Sequence, residues 1–231
     1  MIPKIIHYCW LSNNPIPQDL KMYMESWKQK LPDYEFMLWD LNRFDINSSI
    51  WVKEAFEAKK YAFACDYIRL FAVYNYGGIY MDMDVEVIKS FNNILSNDYI
   101  LGYETETGIE AGIFGSKIKA EWLKDCLEYY KNKSFINTDG SYNTTPLPQI
   151  LYSILNNKYI KTKLINPLPP DYLTAKSHKT NKIHITNNTY TIHHFAGSWV
   201  SPKDKFIGKL ARIIGDKAIS RLVKIKKIIT K

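Results

Sequence analysis

The stretch Gly77-Gly78-Ile79-Tyr80-Met81-Asp82-Met83-Asp84-Val85 decides the reading of this chain. Two glycines stop whatever precedes them, a short apolar run then reads as a buried strand, and that strand enters two carboxylates. Carboxylates at the end of a buried strand are costly unless they face a cation. Side chains alternate along a strand, so Asp82 and Asp84 are expected on one face, able to converge on one ion. Hard divalent cations such as Mg2+ and Mn2+ take carboxylate oxygens and bridge phosphate oxygens, so a metal carrying a diphosphate is the simplest partner. A solvated turn is the plain alternative.

Upstream, residues 50–76 read as helical, in one or two pieces, ending at the glycine pair. Asp66 and Arg69 are three residues apart and share a helix face. A surface ion pair is the ordinary meaning of that spacing. Here Phe63, Ile68, Leu70 and Phe71 make the helix apolar, and an acid with an arginine in such a segment more often lines a site. Further strands are predicted at 2–10, 34–39, 79–81, 85–88, 99–103 and 111–114, and helices at 18–30, 119–131 and 148–155. A rigid loop is expected at 166–170, and residues 183–194 read as a closing strand or hairpin. Alternating strands and helices predict an α/β sheet with ligands beyond the carboxyl ends of its strands.

The chain has 231 residues, 46% of them hydrophobic, enough for one sizeable core and too apolar for a disordered protein. Cys9, Cys65 and Cys126 form no CxxC pair, which argues against a disulfide framework or a zinc site and suits a reducing compartment. The opening Met1-Ile2-Pro3-Lys4 lacks the pattern of a signal peptide, and no uncharged apolar run is long enough to span a bilayer. The net charge of +8 resides in residues 203–231, where ten Lys or Arg face two Asp; the preceding residues hold 21 of each sign.

Ala62-Phe63-Ala64-Cys65-Asp66-Tyr67-Ile68-Arg69-Leu70 followed by Tyr76-Gly77-Gly78-Ile79-Tyr80-Met81-Asp82-Met83-Asp84 resembles the sugar-binding region of the DXD-containing glycosyltransferases of family 32. The similarity runs from Ile2-Pro3-Lys4-Ile5-Ile6-His7-Tyr8-Cys9-Trp10 to His193-His194-Phe195-Ala196-Gly197-Ser198-Trp199. It implies a GT-A-like, Rossmann-type nucleotide-sugar-binding domain over 1–202, with a mixed, mostly parallel sheet. It also implies a Mn2+- or Mg2+-dependent, retaining transfer of a hexose or N-acetylhexosamine. The donor would be a nucleotide-diphosphate sugar, UDP-linked by expectation. The acceptor would be a hydroxyl of a glycan or lipid-linked glycan in bacterial capsule or surface-polysaccharide synthesis.

The resemblance assigns Asp84 as a metal ligand and Asp82 as a contact to the ribose and the metal. Asp66 would hold sugar hydroxyls and Arg69 the sugar and diphosphate, with these four as the catalytic set. Trp10 resembles the aromatic on which the base stacks, core filling being the alternative, and Tyr80 is carried over as a donor contact. A histidine three before a glycine, His194 with His193 as fallback, would complete the metal site. Ser198 and Trp199 resemble a mobile-loop pair reaching the metal and the β-phosphate. His7 reads as structural. Two departures stand out. Glu110-Ala111-Gly112 replaces an asparagine-rich segment, so Glu110 could alter sugar choice, and Thr144-Thr145-Pro146 replaces a more usual Thr-Gly-Pro.

Two rivals fit parts of the pattern. Asp-x-Asp-x-Val also matches the nucleophile motif of haloacid-dehalogenase-type phosphatases, but Asp98, Asp125, Asp139 and Asp171 lack the acidic context such enzymes need downstream. A non-catalytic sugar-nucleotide-binding or lectin-like module would bind donor without turnover. In the tail, Phe206, Ile207, Leu210, Ile213, Ile214, Leu222, Ile225, Ile228 and Ile229 recur mostly at spacings of three and four among lysines, as in a basic amphipathic helix. That pattern suits an anionic membrane surface and a cytoplasmic, peripheral location, or a helix packed on the domain. No nucleic-acid motif accompanies it.

Overall fold

The computed structural model describes residues 1–177 and 180–196. Residues 1–177 and 181–194 form one compact unit, to which every element below belongs. The expected basic helical tail at 203–231 lies outside the described residues. Among the described residues, no helix is long and apolar enough to cross a membrane.

In chain order the unit opens with β1 (Ile5–Cys9), α1 (Gln18–Lys30), β2 (Glu35–Trp39), α2 (Ile50–Glu57), α3 (Tyr61–Tyr76), β3 (Gly78–Met81) and β4 (Val85–Val87). It continues with β5 (Tyr99–Ile100), β6 (Tyr103–Thr105), β7 (Gly108–Ile109), β8 (Ile113–Ser116), α4 (Glu121–Glu128), α5 (Leu147–Leu155), α6 (Pro170–Leu173) and β9 (Thr191–His193). The central sheet runs in the order β2-β1-β3-β8-β5. β1 pairs parallel with both β2 and β3, while β8 pairs antiparallel with β3 and with β5, so four of the five strands point one way. This is the mixed, mostly parallel sheet expected from the alternation of elements. Beside it, β4 pairs with β9 and β6 with β7.

The helical stretch at 50–76 is two helices, broken where Lys59 takes a positive φ of 56°. α3 packs over β1, β3 and β8. Its apolar face brings Ile68, Leu70 and Val73 into a core with Trp39, Trp51, Tyr80, Phe114 and Phe135. The glycine pair ends α3 as the sequence predicts. Gly77 caps the helix at φ 66°, and Gly78, at φ 92°, lies so close to β1 that a Cβ there would meet the Ile5 carbonyl oxygen at 2.6 Å. The chain thereby turns from helix into the central strand within two residues. His7 locks the same corner: its Nδ1 accepts from the Trp39 indole at 3.1 Å, so Nε2–H donates to the Gly77 carbonyl at 2.7 Å. Burial is the main cause that pushes this imidazole down to about 4, which keeps it neutral.

Two predicted strands are cut well short where other segments supply the pairing, and a third is shifted along the chain. The 99–103 stretch divides at Leu101 and Gly102, where Leu101 and Tyr103 bond to Leu168 of the proline-rich segment. The 111–114 stretch is displaced by two residues, to β8 at Ile113–Ser116, leaving Glu110-Ala111-Gly112 outside any strand between β7 and β8. Of 183–194 only Thr191–His193 is strand, with Ile183 bridged to Lys176.

Candidate metal and donor site

β1, β2 and β3 end at the same edge of the sheet, and the chain leaves them at Trp10, Asp40 and Asp82. Such an edge is where α/β sheets bind ligands. β3 ends at Met81. Asp82 to Asp84 form a tight turn closed by the Val85 amide on the Asp82 carbonyl at 3.0 Å, and Met83 points into the core. The two carboxylates therefore converge through a turn, and not by the strand alternation expected from the sequence.

The turn leads into β4, which pairs with β9 in a register that sets Val85 opposite His193. One ligand atom from each of Asp82, Asp84 and His193 lies within 4.8 Å of the others. His193 Nε2 is 3.5 Å from Asp84 Oδ1. Its other nitrogen, Nδ1, donates to Glu110 Oε1 at 3.1 Å. Two hard oxygens and one imidazole nitrogen make a donor set suited to Mn2+ and acceptable to Mg2+, gathered closely enough to converge on one ion. Glu110 and Asp84 raise the proton affinity of His193 well above the ordinary imidazole range, overcoming the opposing effect of burial.

His194, the histidine selected by spacing, is elsewhere. Its Nε2–H donates to Glu86 Oε2 at 2.8 Å and its ring stacks on Tyr23 at 4.2 Å between centroids. Neighbouring residues of an extended strand face opposite ways, so only one of the two histidines can face the aspartates; β4 pairing selects His193.

Behind the turn, Arg69 is enclosed, its side chain 8% exposed. Nη2 pairs with Asp66 Oδ1 at 3.2 Å and Nη1 with Asp82 Oδ2 at 3.3 Å, while Nη1 also donates to the Ala111 carbonyl at 2.7 Å. Tyr80 lies beneath, its ring 4.7 Å from the guanidinium carbon and its hydroxyl donating to Asp82 Oδ1 at 2.7 Å. Burial pushes the Asp66 carboxyl up to about 7 against the pull of Arg69, and raises Asp82 as well. Arg69 thus ties the helical acid to the first aspartate of the turn.

Residues 17–101 match the family model described as "Glycosyltransferase sugar-binding region containing DXD motif". Over residues 17–101 the chain is similar to a DXD-type glycosyltransferase sugar-binding region. It is similar to inositol phosphoceramide mannosyltransferase 3 of Schizosaccharomyces pombe, 30% identical over 118 residues that cover 49% of this chain and 33% of that protein. An uncharacterized glycosyltransferase of Acanthamoeba polyphaga mimivirus is 24% identical over 204 residues, covering 82% of this chain and 72% of that one. The chain thus spans about a third of the length of the fungal relative it matches. Among solved structures, "PaToxG Glycosyltransferase" superposes with a TM-score of 0.53 at 16% identity, covering 71% of this chain and 74% of that one. The fold is of the GT-A type.

The predicted residues divide. Asp82 and Asp84 come together as expected, with Asp66 and Arg69 packed behind them. Tyr80 differs from the expectation of donor contact: it is 1% exposed, and its hydroxyl is spent on Asp82, so it acts through that residue. Trp10 follows β1 half-buried, its indole N–H on the Asn14 carbonyl at 2.8 Å. Ser198 and Trp199 lie outside the described residues. Glu104, which the sequence did not single out, carries a carboxyl raised to about 7 by burial and by Glu110, with His193 opposing. Glu110, singled out only as a departure that could alter sugar choice, lies fully buried against His193. Their acidic character was visible, but nothing in the spacing shows that the chain folds β6 and the 110–112 strip toward β9.

Proposed function

We propose that this protein transfers a hexose or N-acetylhexosamine from a nucleotide-diphosphate sugar to a hydroxyl of a glycan or lipid-linked glycan, with retention of configuration. The observation that carries the reading is the meeting of Asp82, Asp84 and His193 at the carboxyl edge of the parallel strands, backed by the buried Asp66–Arg69 pair. A divalent cation held by those three would supply positive charge to the departing diphosphate. Arg69 and Tyr80 hold Asp82 in place for that task, Arg69 also adding a fixed positive charge behind it. In the transfer the bond from the sugar C1 to the diphosphate oxygen breaks, the bond from C1 to the acceptor oxygen forms, and the hydroxyl proton leaves with the diphosphate or to solvent.

Family 32 resemblance supports retention, a UDP-sugar donor and a surface-polysaccharide setting, and the basic tail supports a peripheral place on an anionic cytoplasmic membrane face. The fungal relative is named a mannosyltransferase, so mannose belongs beside the other hexoses in any test. The phosphatase alternative is disfavoured by Asp82. As nucleophile it would need a free oxygen, yet Oδ1 accepts from Tyr80 and Oδ2 is paired with Arg69.

The test is Mn2+-dependent binding and slow hydrolysis across UDP- and GDP-linked hexoses, in the native chain and in Asp84→Ala. Metal-dependent cleavage of one donor, lost in the variant, is the expected result. Metal-dependent binding without cleavage, even with glycan and lipid-linked acceptors present, would instead make the protein a sugar-nucleotide-binding module.

A further inference from the structure

We propose that Glu110 is the positioning residue that turns His193 toward Asp82 and Asp84. The inference rests on the reading of those three side chains as a cation site. Glu110 has no exposed surface, and a carboxylate so enclosed is tolerable only with its oxygens fully engaged. Oε1 accepts from the Gly112 amide at 2.6 Å and from His193 Nδ1–H at 3.1 Å, and Oε2 accepts from the Thr174 hydroxyl. Three donors from three separate segments thus fix the carboxylate rigidly. Because an ionised carboxylate only accepts, the nitrogen facing it must carry a proton. Nε2 is then left as the nitrogen that faces Asp84 and that a cation would take.

The strip containing Glu110 also fixes the rest of the site. The Ala111 carbonyl accepts from Arg69 and the Gly112 carbonyl accepts the Asp82 amide at 2.7 Å. One short segment between β7 and β8 therefore sets the imidazole, the guanidinium and the first aspartate relative to one another. Glu110 is better placed for this work than for choosing the sugar, since it is sealed from any ligand by His193 and Thr174.

The experiment uses the full chain with Mn2+ alone as probe. Affinity is measured by calorimetry, the imidazole ligand by the 14N modulation of the Mn2+ spin echo, and metal-free stability by thermal melting. The native protein is expected to bind with a nitrogen signal, and Asp84→Ala to lose binding. Glu110→Gln, close to isosteric, is expected to bind Mn2+ about 10- to 100-fold more weakly with a diminished nitrogen signal. Thr174→Val removes only the donor to Oε2. It is expected to shift both readouts the same way by a smaller factor, and it serves if Glu110→Gln does not fold. Native affinity and a native nitrogen signal in both variants, with Asp84→Ala still deficient, would overturn the positioning role and leave the cation site standing. Absence of Mn2+ binding by the native chain, or binding without nitrogen, would overturn both.

Discussion

Gly112 lies directly against His193: a Cβ built on it would stand 2.8 Å from Nδ1 and overlap Cε1, with Glu110 Oε1 also at 3.0 Å. The glycine is the space in which the imidazole sits. Gly112→Ala should push the ring off its line to Asp84 and cost about 1–3 kcal/mol of stability through overpacking. Mn2+ titration should show at least tenfold weaker binding. An affinity equal to that of the native protein would mean that the ring has room to move.

Removing either aspartate of the turn should stop turnover without unfolding the domain. Asp84→Ala and Asp82→Asn are expected to lose at least a hundredfold in kcat, about 2.7 kcal/mol of transition-state stabilisation. Circular dichroism should stay native, because neither residue belongs to a strand.

Arg69 stands between two buried or half-buried carboxylates, so its loss leaves both without their cation. Arg69→Met should destabilise by about 3–5 kcal/mol in urea unfolding. Adding Asp66→Asn to the same chain should recover part of that loss, since one of the stranded charges is then gone. A double variant no more stable than the single would show that Asp66 is not strained by the loss of Arg69.

Glu104 has a carboxyl raised to about 7, chiefly by burial. A carboxyl whose folded pKa lies above its unfolded value contributes stability that is fully present below the unfolded pKa, near 4.5, and is lost as pH rises through about 7. Glu104→Gln cannot ionise and escapes that loss. The Tm of the variant minus that of the native protein should therefore grow more positive between pH 4.5 and pH 8. A difference that stays flat would place Glu104 in an ordinary solvated setting.

The corner at Gly78 is as sensitive as the site. Alanine there must adopt φ near 92° and clash with the Ile5 carbonyl, so Gly78→Ala should lose about 2–4 kcal/mol, measured by chemical denaturation.

Much of this was legible from the chain. The glycine pair, the apolar strand after it and the acid–arginine pair before it carry strong local signals, because burial, helix termination and period are properties of neighbouring residues. What escaped reading depends on contacts between distant segments. Spacing selected His194 with His193 only as fallback, whereas the choice is made by which residue of β9 faces Val85 of β4. Tyr80 and Glu110 looked like ligand contacts because their burial is created by α3, the Arg69 guanidinium and Thr174, none of which is adjacent in sequence. Asp82 and Asp84 were rightly paired for the wrong geometric reason, as a turn does what a pleat was expected to do.

The pairing of β4 with β9 also orders events during synthesis. Asp66, Arg69, Asp82 and Asp84 leave the ribosome early and can pack around β3, yet the imidazole that faces the aspartates arrives only with β9, on the order of a hundred residues later. A nascent chain halted before Thr191 would hold a half-built cradle of acids around Arg69 with no nitrogen to complete it. Catalytic competence would then be acquired late in synthesis, well after the core of the sheet has been made.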